Sequence, residues 1–382
     1  MTSKLISYPR AFLETILQEL GMQQIELSKR TGISAKTINS ILKGSAPISP
    51  ETALSFEMVL GKSAKDLLAM EAKYQLRKVN ALQEESLTQE LSFLDQINYR
   101  EIAKAGWVKK ESNKIEKLKR LYEFFGVSSF NQLSPVWSQL EVNYRTSTVY
   151  KKKHFNIMAW LRQGEIEAQK IACSPFSLKS FKEALFECRR LTTQSFEECH
   201  IQIQELCRKA GVAVIYVKEL PGVATSGAAH WVDKDKAIIQ LSLRGKADDK
   251  FWFNFFHEAG HIVLHGRKEQ FIDNNGKGQS TAKDEDAETP YETVENKLKE
   301  AEADAFAANL LIPKKELDKF VDKNTFDRDS IVSFAHEQGI APGIVVGQLQ
   351  NKGHIGWSSS VGRLKRRYEF PDNFANLVVD DI

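Results

Sequence analysis

Cysteine is scarce in this chain of 382 residues, and no two of its four cysteines form a Cys-x-x-Cys pair. Such spacing argues against a zinc ribbon or a disulfide framework and is typical of reduced thiols in a cytoplasmic protein. The sequence also lacks a basic and apolar leader pattern, and no uncharged apolar run reaches membrane-spanning length. We therefore expect a soluble cytoplasmic protein without a membrane partner.

A strong charge of one sign is also missing, because 53 lysines and arginines face 50 aspartates and glutamates. The resulting net charge of +3 does not identify a polyanionic partner by itself. The hydrophobic content of 42% is that of a globular protein, which argues against wholesale disorder. The length favours two or three domains over a single core.

The most informative stretch is an apolar run from Phe251 to Leu264 that is interrupted by His257, Glu258 and His261. These three residues spell His-Glu-x-x-His. Two imidazoles one helical turn apart can both reach one zinc ion, and the glutamate can take a proton from the attacking water. The alternative is a chance pattern of ordinary core or surface residues. The apolar flanks argue against chance, because burying these polar groups without a metal is costly.

The third zinc ligand has to come from beyond this motif. Leu264 and Arg267 stand where a metzincin has glycine and histidine, so that class is excluded. His265 lies one turn further along the same face. Three ligands on one straight helix would spread over about 11 Å, so we expect His265 to lie beside the metal site without binding the ion.

A glutamate from a later helix is the better candidate for this ligand. Within the helix predicted over residues 293–311, Glu302 falls on an apparent apolar stripe with Leu298 and Phe306. The same helical periodicity places Glu300 and Asp304 outside this stripe. We predict Glu302 as the third ligand and keep Glu300 as the alternative.

The N-terminal region predicts five short helices between residues 9 and 70. Gly32 provides a tight turn, and Ser34 is the expected N-cap of a helix that runs to Leu42. Helix, glycine turn and helix at this spacing form the helix-turn-helix arrangement, whose second helix enters the major groove of DNA. The alternative is a small helical bundle used for dimerisation or protein binding.

The stretch Gln23–Gly44 resembles the phage-repressor-like (Xre) DNA-binding family, and Ile48–Leu54 resembles its antitoxin-like branch. By this resemblance, Gln24 contacts the sugar-phosphate backbone and Lys43 lies near a phosphate. The residues that it places against base edges are Ala35, Lys36, Asn39 and Ser40. Residues 1–80 carry 11 basic against 7 acidic side chains, which fits double-stranded DNA as a partner. Proteins of this type usually pair half-sites, so a homodimer is expected.

Residues 79–204 predict helices throughout and carry no recognisable chemistry. Two strands are predicted at residues 212–217 and 236–242, directly before the zinc-site helix. Their sheet could offer an edge to an extended peptide, which would bind by strand addition.

Two motifs of the C-terminal half, His257–His261 and Glu302–Pro313, together with Ile340–Leu349, resemble the ImmA/IrrE family of metallopeptidase-like regulators. The resemblance implies a zincin-like domain with His257, His261 and Glu302 as zinc ligands and Glu258 as general base. It also implies a repressor or an antitoxin-like protein as substrate. The chain departs from the family in a long polar link, Gln270–Thr293. Its C-terminal region also carries a basic segment, residues 363–367, for which a surface helix and a further nucleic-acid contact are the two interpretations.

We therefore predict a mainly α fold with a small β-sheet, of the α+β class. The predicted domains are a helix-turn-helix domain (1–78), a helical middle region (79–204), a metallopeptidase domain (205–352) and a tail (353–382). The predicted function is a DNA-binding regulator with a zinc endopeptidase that cleaves a partner protein in a stress, phage or toxin–antitoxin response. The alternative is a non-proteolytic repressor or antitoxin-like protein whose zinc site is structural or sensory.

Overall fold

The computed structural model describes residues 9–133, 148–223, 225–242, 244, 246–265, 271–272 and 294–369. Two units can be distinguished, Met1–Leu91 and Ser92–Ile382, and each is described by itself. Apart from two residues, the predicted link Gln270–Thr293 lies outside the described part, as do the residues from 370 onward. Within the described residues, no helix combines the length and the apolar character that crossing a membrane requires.

The first unit is built from helices, and capping residues in the sequence mark the ends of several of them. Gly32 closes the second helix with a φ of 71°. The hydroxyl of Ser34 then accepts the N–H of Thr37 at 3.1 Å and starts the third helix, as predicted. The last helix continues well past residue 70, where the predicted helices end, because no glycine or proline follows to stop it. The helices are α1 (Pro9–Glu19), α2 (Gln24–Thr31), α3 (Ala35–Leu42), α4 (Pro50–Leu60) and α5 (Ala64–Gln89).

The core of this unit determines which side of α3 faces outward. Ile38, Ile41 and Leu42 are buried and pack with Leu27 of α2 and Phe56 of α4. Residues three and four apart share a helical face, so the polar residues between the buried ones lie on the opposite side of α3.

The second unit begins with helices, as the sequence predicts. Several have clear capping signals, such as Ser195, whose side chain and that of Glu198 form a reciprocal capping box. The helices before the sheet are α6 (Tyr99–Lys104), α7 (Lys114–Phe125), α8 (Thr148–Gln169), α9 (Leu178–Arg190) and α10 (Phe196–Arg208).

A four-stranded sheet follows, with β1 (Val212–Tyr216), β2 (Gly227–Trp231), β3 (Ala237–Leu241) and β4 (Phe271–Ile272) in the order β1-β3-β2-β4. β1 and β3 are parallel, whereas β2 is antiparallel to both β3 and β4. β1 and β3 are the two predicted strands. β2 was not predicted, because its glycine and two alanines carry little strand signal.

Both faces of the sheet are covered at its first three strands, so β1, β2 and β3 are buried almost throughout. On one face, Trp160 of α8 donates to Val217 O at 2.9 Å, and Gln240 of β3 donates to Trp160 O at 2.7 Å. On the other face, Val214 of β1 and Ile239 of β3 join one core with α9, α10 and the zinc-site helix. The sheet therefore places that helix against β2 and β3.

The zinc-site helix, α11 (Asp248–Leu264), packs mainly against α12 (Val294–Leu311), the helix that carries the candidate acids. The chain then forms α13 (Lys314–Asp322), α14 (Arg328–Gln338) and α15 (Pro342–Asn351), and α15 also packs against α11.

The start of α11 is fastened by the segment after α15. Asp248 N donates to Arg366 O at 2.9 Å, and the Asp248 carboxylate lies 3.2 Å from Arg366 Nε. Lys365 lies 2.6 Å from Asp249. Two residues of the basic segment thus serve an intramolecular contact that holds the first turn of α11, and they do not form a surface helix.

Candidate metal centre and catalytic site

The middle of α11 brings three buried polar side chains together. His257, Glu258 and His261 are 1%, 0% and 2% exposed, respectively. Residues 257 and 261 are one turn apart, so their rings lie side by side, and their Nε2 atoms are 3.0 Å apart. The two imidazoles therefore converge, as the His-Glu-x-x-His spacing predicts.

The acid that meets these histidines is Glu300. Its Oε2 lies 3.2 Å from His257 Nε2, and its Oε1 lies 3.5 Å from His261 Nε2. One donor atom from each of the three residues lies within 4.8 Å of the others. Glu302, the residue predicted from the sequence, instead lies beside His265, 3.1 Å from its Nε2. The choice between the two glutamates is thereby corrected in favour of Glu300.

The correction follows from the true inner face of α12. Ala303 and Ala307 are fully buried against α11, and Glu300 and Asp304 lie on the same face, whereas Leu298 is 59% exposed. The stripe of Leu298 and Phe306 misled the prediction, because the small Ala303 lies at the centre of the contact with α11 and Phe306 lies beside it.

Gly260 explains why small residues are needed there. A Cβ at Gly260 would lie 3.2 Å from Ala303 Cα and 3.2 Å from a ring carbon of Phe306. The glycine inside the His-Glu-x-x-His motif therefore allows α11 and α12 to approach closely enough for Glu300 to reach the histidines. Glycine in a helix interior is unfavourable by about 1 kcal/mol relative to alanine. Its presence inside the motif was therefore the signal in the sequence that another element packs closely against α11.

The Nδ1 atoms of the two histidines also have hydrogen-bond partners. His257 Nδ1 lies 2.8 Å from an oxygen of Asp304, a residue that the sequence interpretation had placed elsewhere. His261 Nδ1 lies 3.0 Å from His265 Nδ1. Both Nε2 atoms are consequently directed at Glu300. Such outer hydrogen bonds orient metal-binding histidines in proteins.

The surroundings of the two histidines shift their pKa values in opposite directions. Burial opposes ionisation of His257, but hydrogen bonds to Asp304 and Glu300, and the charge of Glu258, outweigh it and raise the pKa of His257 to about 11. Burial and then the charges of His257 and His265 lower the pKa of His261 to about 2. His261 is therefore neutral and offers a nitrogen lone pair at the centre.

Glu258 points to the opposite side of α11 from α12, towards β2. A Cβ at Gly227, the first residue of β2, would lie 2.5 Å from Glu258 Oε1. The carboxylate thus lies directly against the backbone of the strand next to β4. This strand and its glycine were missed by the sequence interpretation.

In the first unit, the residues predicted to contact DNA lie on the outer side of the helix-turn-helix. Gln24 begins α2 and is exposed. On α3 and at its C-cap, three of the predicted residues are exposed and two are half-buried, in contrast to the buried Ile38 and Ile41. The exposed ones are Ala35, Lys36 and Lys43, and the half-buried ones are Asn39 and Ser40.

Comparisons with known proteins agree with the predictions for both parts of the chain. Residues 13–67 match the helix-turn-helix family, and residues 207–341 match the IrrE N-terminal-like domain, a metallopeptidase-like family. The two resemblances predicted from the sequence and the predicted α+β fold class are thereby confirmed. Among curated proteins, none matches the chain.

Proposed function

We propose that this protein is a cytoplasmic DNA-binding transcription regulator whose second unit is a zinc-dependent endopeptidase. Its substrate is a partner regulatory protein, a repressor or an antitoxin-like protein, within a stress, phage or toxin–antitoxin response. The observation that carries the proposal is the convergence of His257, His261 and Glu300, with Glu258 held beside them against a sheet strand.

The donor set fits zinc. Two imidazole nitrogens and a carboxylate are the protein ligands of many catalytic zinc sites, which keep a further position for water or substrate. His257 and His261 are almost fully buried, whereas the side chain of Glu300 is 34% exposed. The centre is therefore reached by solvent from the side of Glu300, as an enzyme site requires.

When bound, the zinc ion would polarise the scissile carbonyl and lower the pKa of a water molecule towards neutrality. Glu258 then accepts the proton of the attacking water and transfers it to the leaving amine. Its position against Gly227 holds the carboxylate in one place during both steps. His257 and His261 keep their orientation through Asp304 and His265, so the ligands do not have to rearrange.

The position of β2 supports an extended peptide as substrate. Ala228 and Ala229 follow Gly227 directly and pair antiparallel with Ile272 and Phe271. This edge therefore accepts an antiparallel strand within one or two residues of the contact between Gly227 and Glu258. Because β4 occupies this edge in the structure, a substrate strand would bind here in place of β4, and it would then place a backbone carbonyl near the general base.

The helix-turn-helix unit supplies the DNA-binding half of the proposal. The exposed polar side of α3 would enter the major groove with Ala35, Lys36, Asn39 and Ser40 towards the bases, while Gln24 and Lys43 contact the backbone. A homodimer would place two such helices on successive half-sites.

The decisive experiment compares the wild type with Glu258→Gln and with Glu337→Gln, an exposed control on α14. Each zinc-loaded protein is incubated with purified regulators encoded beside its gene, and new N-termini are mapped by mass spectrometry. The proposal expects cleavage by the wild type and the control, and none by Glu258→Gln, which should still bind zinc. Equal cleavage by Glu258→Gln rejects the mechanism. If no regulator is cut and zinc removal unfolds the second unit, the site is structural.

A further inference from the structure

The backbone changes direction at His265, the residue after the zinc-site helix. α11 ends at Leu264, and His265 has an extended backbone with φ −108° and ψ 164°. Its N–H still donates to His261 O at 3.0 Å. Because the chain leaves the helix here, the ring of His265 lies alongside His261 instead of a further turn away. The side chain of His265 is 4% exposed.

The hydrogen atoms of these two rings can be assigned from their neighbours. His261 Nε2 faces His257 Nε2 and Glu300, so its lone pair is required there, and the hydrogen of the neutral ring must be on Nδ1. The acceptor of that hydrogen is His265 Nδ1, at 3.0 Å. His265 therefore carries its own hydrogen on Nε2, which lies 3.1 Å from Glu302 Oε2.

The two contacts form a chain of hydrogen bonds that runs from His261 through His265 and ends on the carboxylate of Glu302. We propose that His265 and Glu302 are positioning residues, which hold His261 in the tautomer and orientation that present its Nε2 to the metal. The inference rests on the proposed zinc site and assigns to Glu302 an outer role in place of the ligand role predicted from the sequence.

The same helix, α12, therefore contributes to the centre twice. Glu300 reaches the centre directly, while Glu302 acts through His265, and the two carboxylates lie on different sides of α12. The relay, by which we mean the chain of hydrogen bonds from His261 through His265 to Glu302, also shows that the two histidines reach a carboxylate in different ways. His257 meets its carboxylate, Asp304, directly at 2.8 Å, whereas His261 reaches one through a second imidazole.

The test measures the zinc dissociation constant of the full chain by competition with a chromophoric chelator. His265→Leu and Glu302→Ala remove the relay, and zinc affinity should fall by about 10- to 100-fold in each, as for other groups that orient metal ligands. His265→Gln can still accept from His261 and donate to Glu302, so it should retain most of the affinity. Leu298→Ala, at an exposed position of α12, is the matched control and should bind as the wild type.

The outcomes separate this inference from the proposed function. If the wild type binds zinc and His265→Leu binds it equally well, the relay is rejected and the zinc site stands. The relay is also rejected if His265→Gln is as weak as His265→Leu, because ring packing would then be the cause. A wild type that binds no zinc overturns both the zinc site and the relay.

A measurement on the wild type alone avoids any loss of folding in the variants. In protein labelled with 15N-histidine and loaded with zinc, long-range 1H–15N correlations distinguish the two tautomers of each ring. His265 should carry its hydrogen on Nε2, and His261 should carry it on Nδ1. The opposite tautomer at His265 would overturn the proposal.

Discussion

Gly227 of β2 and Glu258 of α11 are in direct contact, and a Cβ on Gly227 would lie 2.5 Å from Glu258 Oε1. A heavy atom cannot occupy that position, so the carboxylate can stay where it is only if residue 227 has no side chain. The contact joins β2, the strand between β3 and β4, to the proposed general base.

Gly227→Ala tests this contact. The added methyl group should displace the Glu258 carboxylate and lower kcat for the cleaved regulator by about 100-fold, the loss typical of a misplacement of about 1 Å. Zinc should remain bound, because none of its proposed ligands moves. Gly356→Ala, where a Cβ meets nothing within 4 Å, is the control. Unchanged cleavage by Gly227→Ala would contradict the assignment of Glu258.

Glu300→Ala tests which glutamate binds the metal. Its carboxylate is the one that reaches both histidines, so its loss should weaken zinc binding by more than about 100-fold, beyond the effect of an outer orienting group. Zinc content after dialysis and chelator competition provide the measurement. A stronger loss in Glu302→Ala than in Glu300→Ala would restore the assignment made from the sequence.

His230 of β2 should make the stability of the second unit depend on pH. It is 5% exposed, its Nε2 has no hydrogen-bond partner among the described residues, and burial lowers its pKa to about 4. Glu165 Oε1 of α8 lies 3.9 Å from this nitrogen. Below about pH 6.5 the unfolded chain takes up a proton at this residue and the folded chain does not. This histidine should therefore remove about 3 kcal/mol of the free energy of unfolding as the pH falls from 6.5 to 4.

The measurement is urea unfolding at several pH values, followed by tryptophan fluorescence, since all six tryptophans lie in the second unit. In His230→Leu this part of the pH dependence should disappear. His336→Leu, at an exposed position of α14, should behave as the wild type. Identical pH profiles for His230→Leu and the wild type would refute the prediction.

Asp248→Asn tests the fastening of the zinc-site helix. Asp248 is fully buried against Arg366, so its neutralisation should lower the free energy of unfolding of the second unit. We expect about 2 kcal/mol, below the value for a fully buried pair because Arg366 is 37% exposed. Glu369→Gln, in an exposed pair with Arg367, should lower the free energy of unfolding far less, because solvent screens that pair. Equal effects of the two changes would show that the basic segment does not anchor α11.

Local signals were sufficient for much of the fold. Gly32 and Ser34 are a glycine stop and an N-cap, and these act through neighbouring backbone groups, so the helix-turn-helix can be recognised without tertiary information. His257, Glu258 and His261 lie within one turn of a single helix. Their convergence therefore follows from helical geometry alone.

Packing between distant segments decided which acid meets the two histidines and which strand lies beside Glu258. The face of α12 that meets α11 depends on the close approach of Ala303 to Gly260, which a periodicity of larger apolar residues does not reveal. β2 consists of residues with little strand signal, and its partners β3 and β4 stabilise it.

The sequence by itself therefore determined that two histidines and a glutamate lie together on one helix, and it determined the helix-turn-helix, because each depends on contacts within a few residues. Only the tertiary structure decided between Glu300 and Glu302 and placed Asp304, His265 and Gly227 around the site. These choices depend on how helices and strands from separate parts of the chain rotate against one another, and that rotation is set by the fit of their buried side chains.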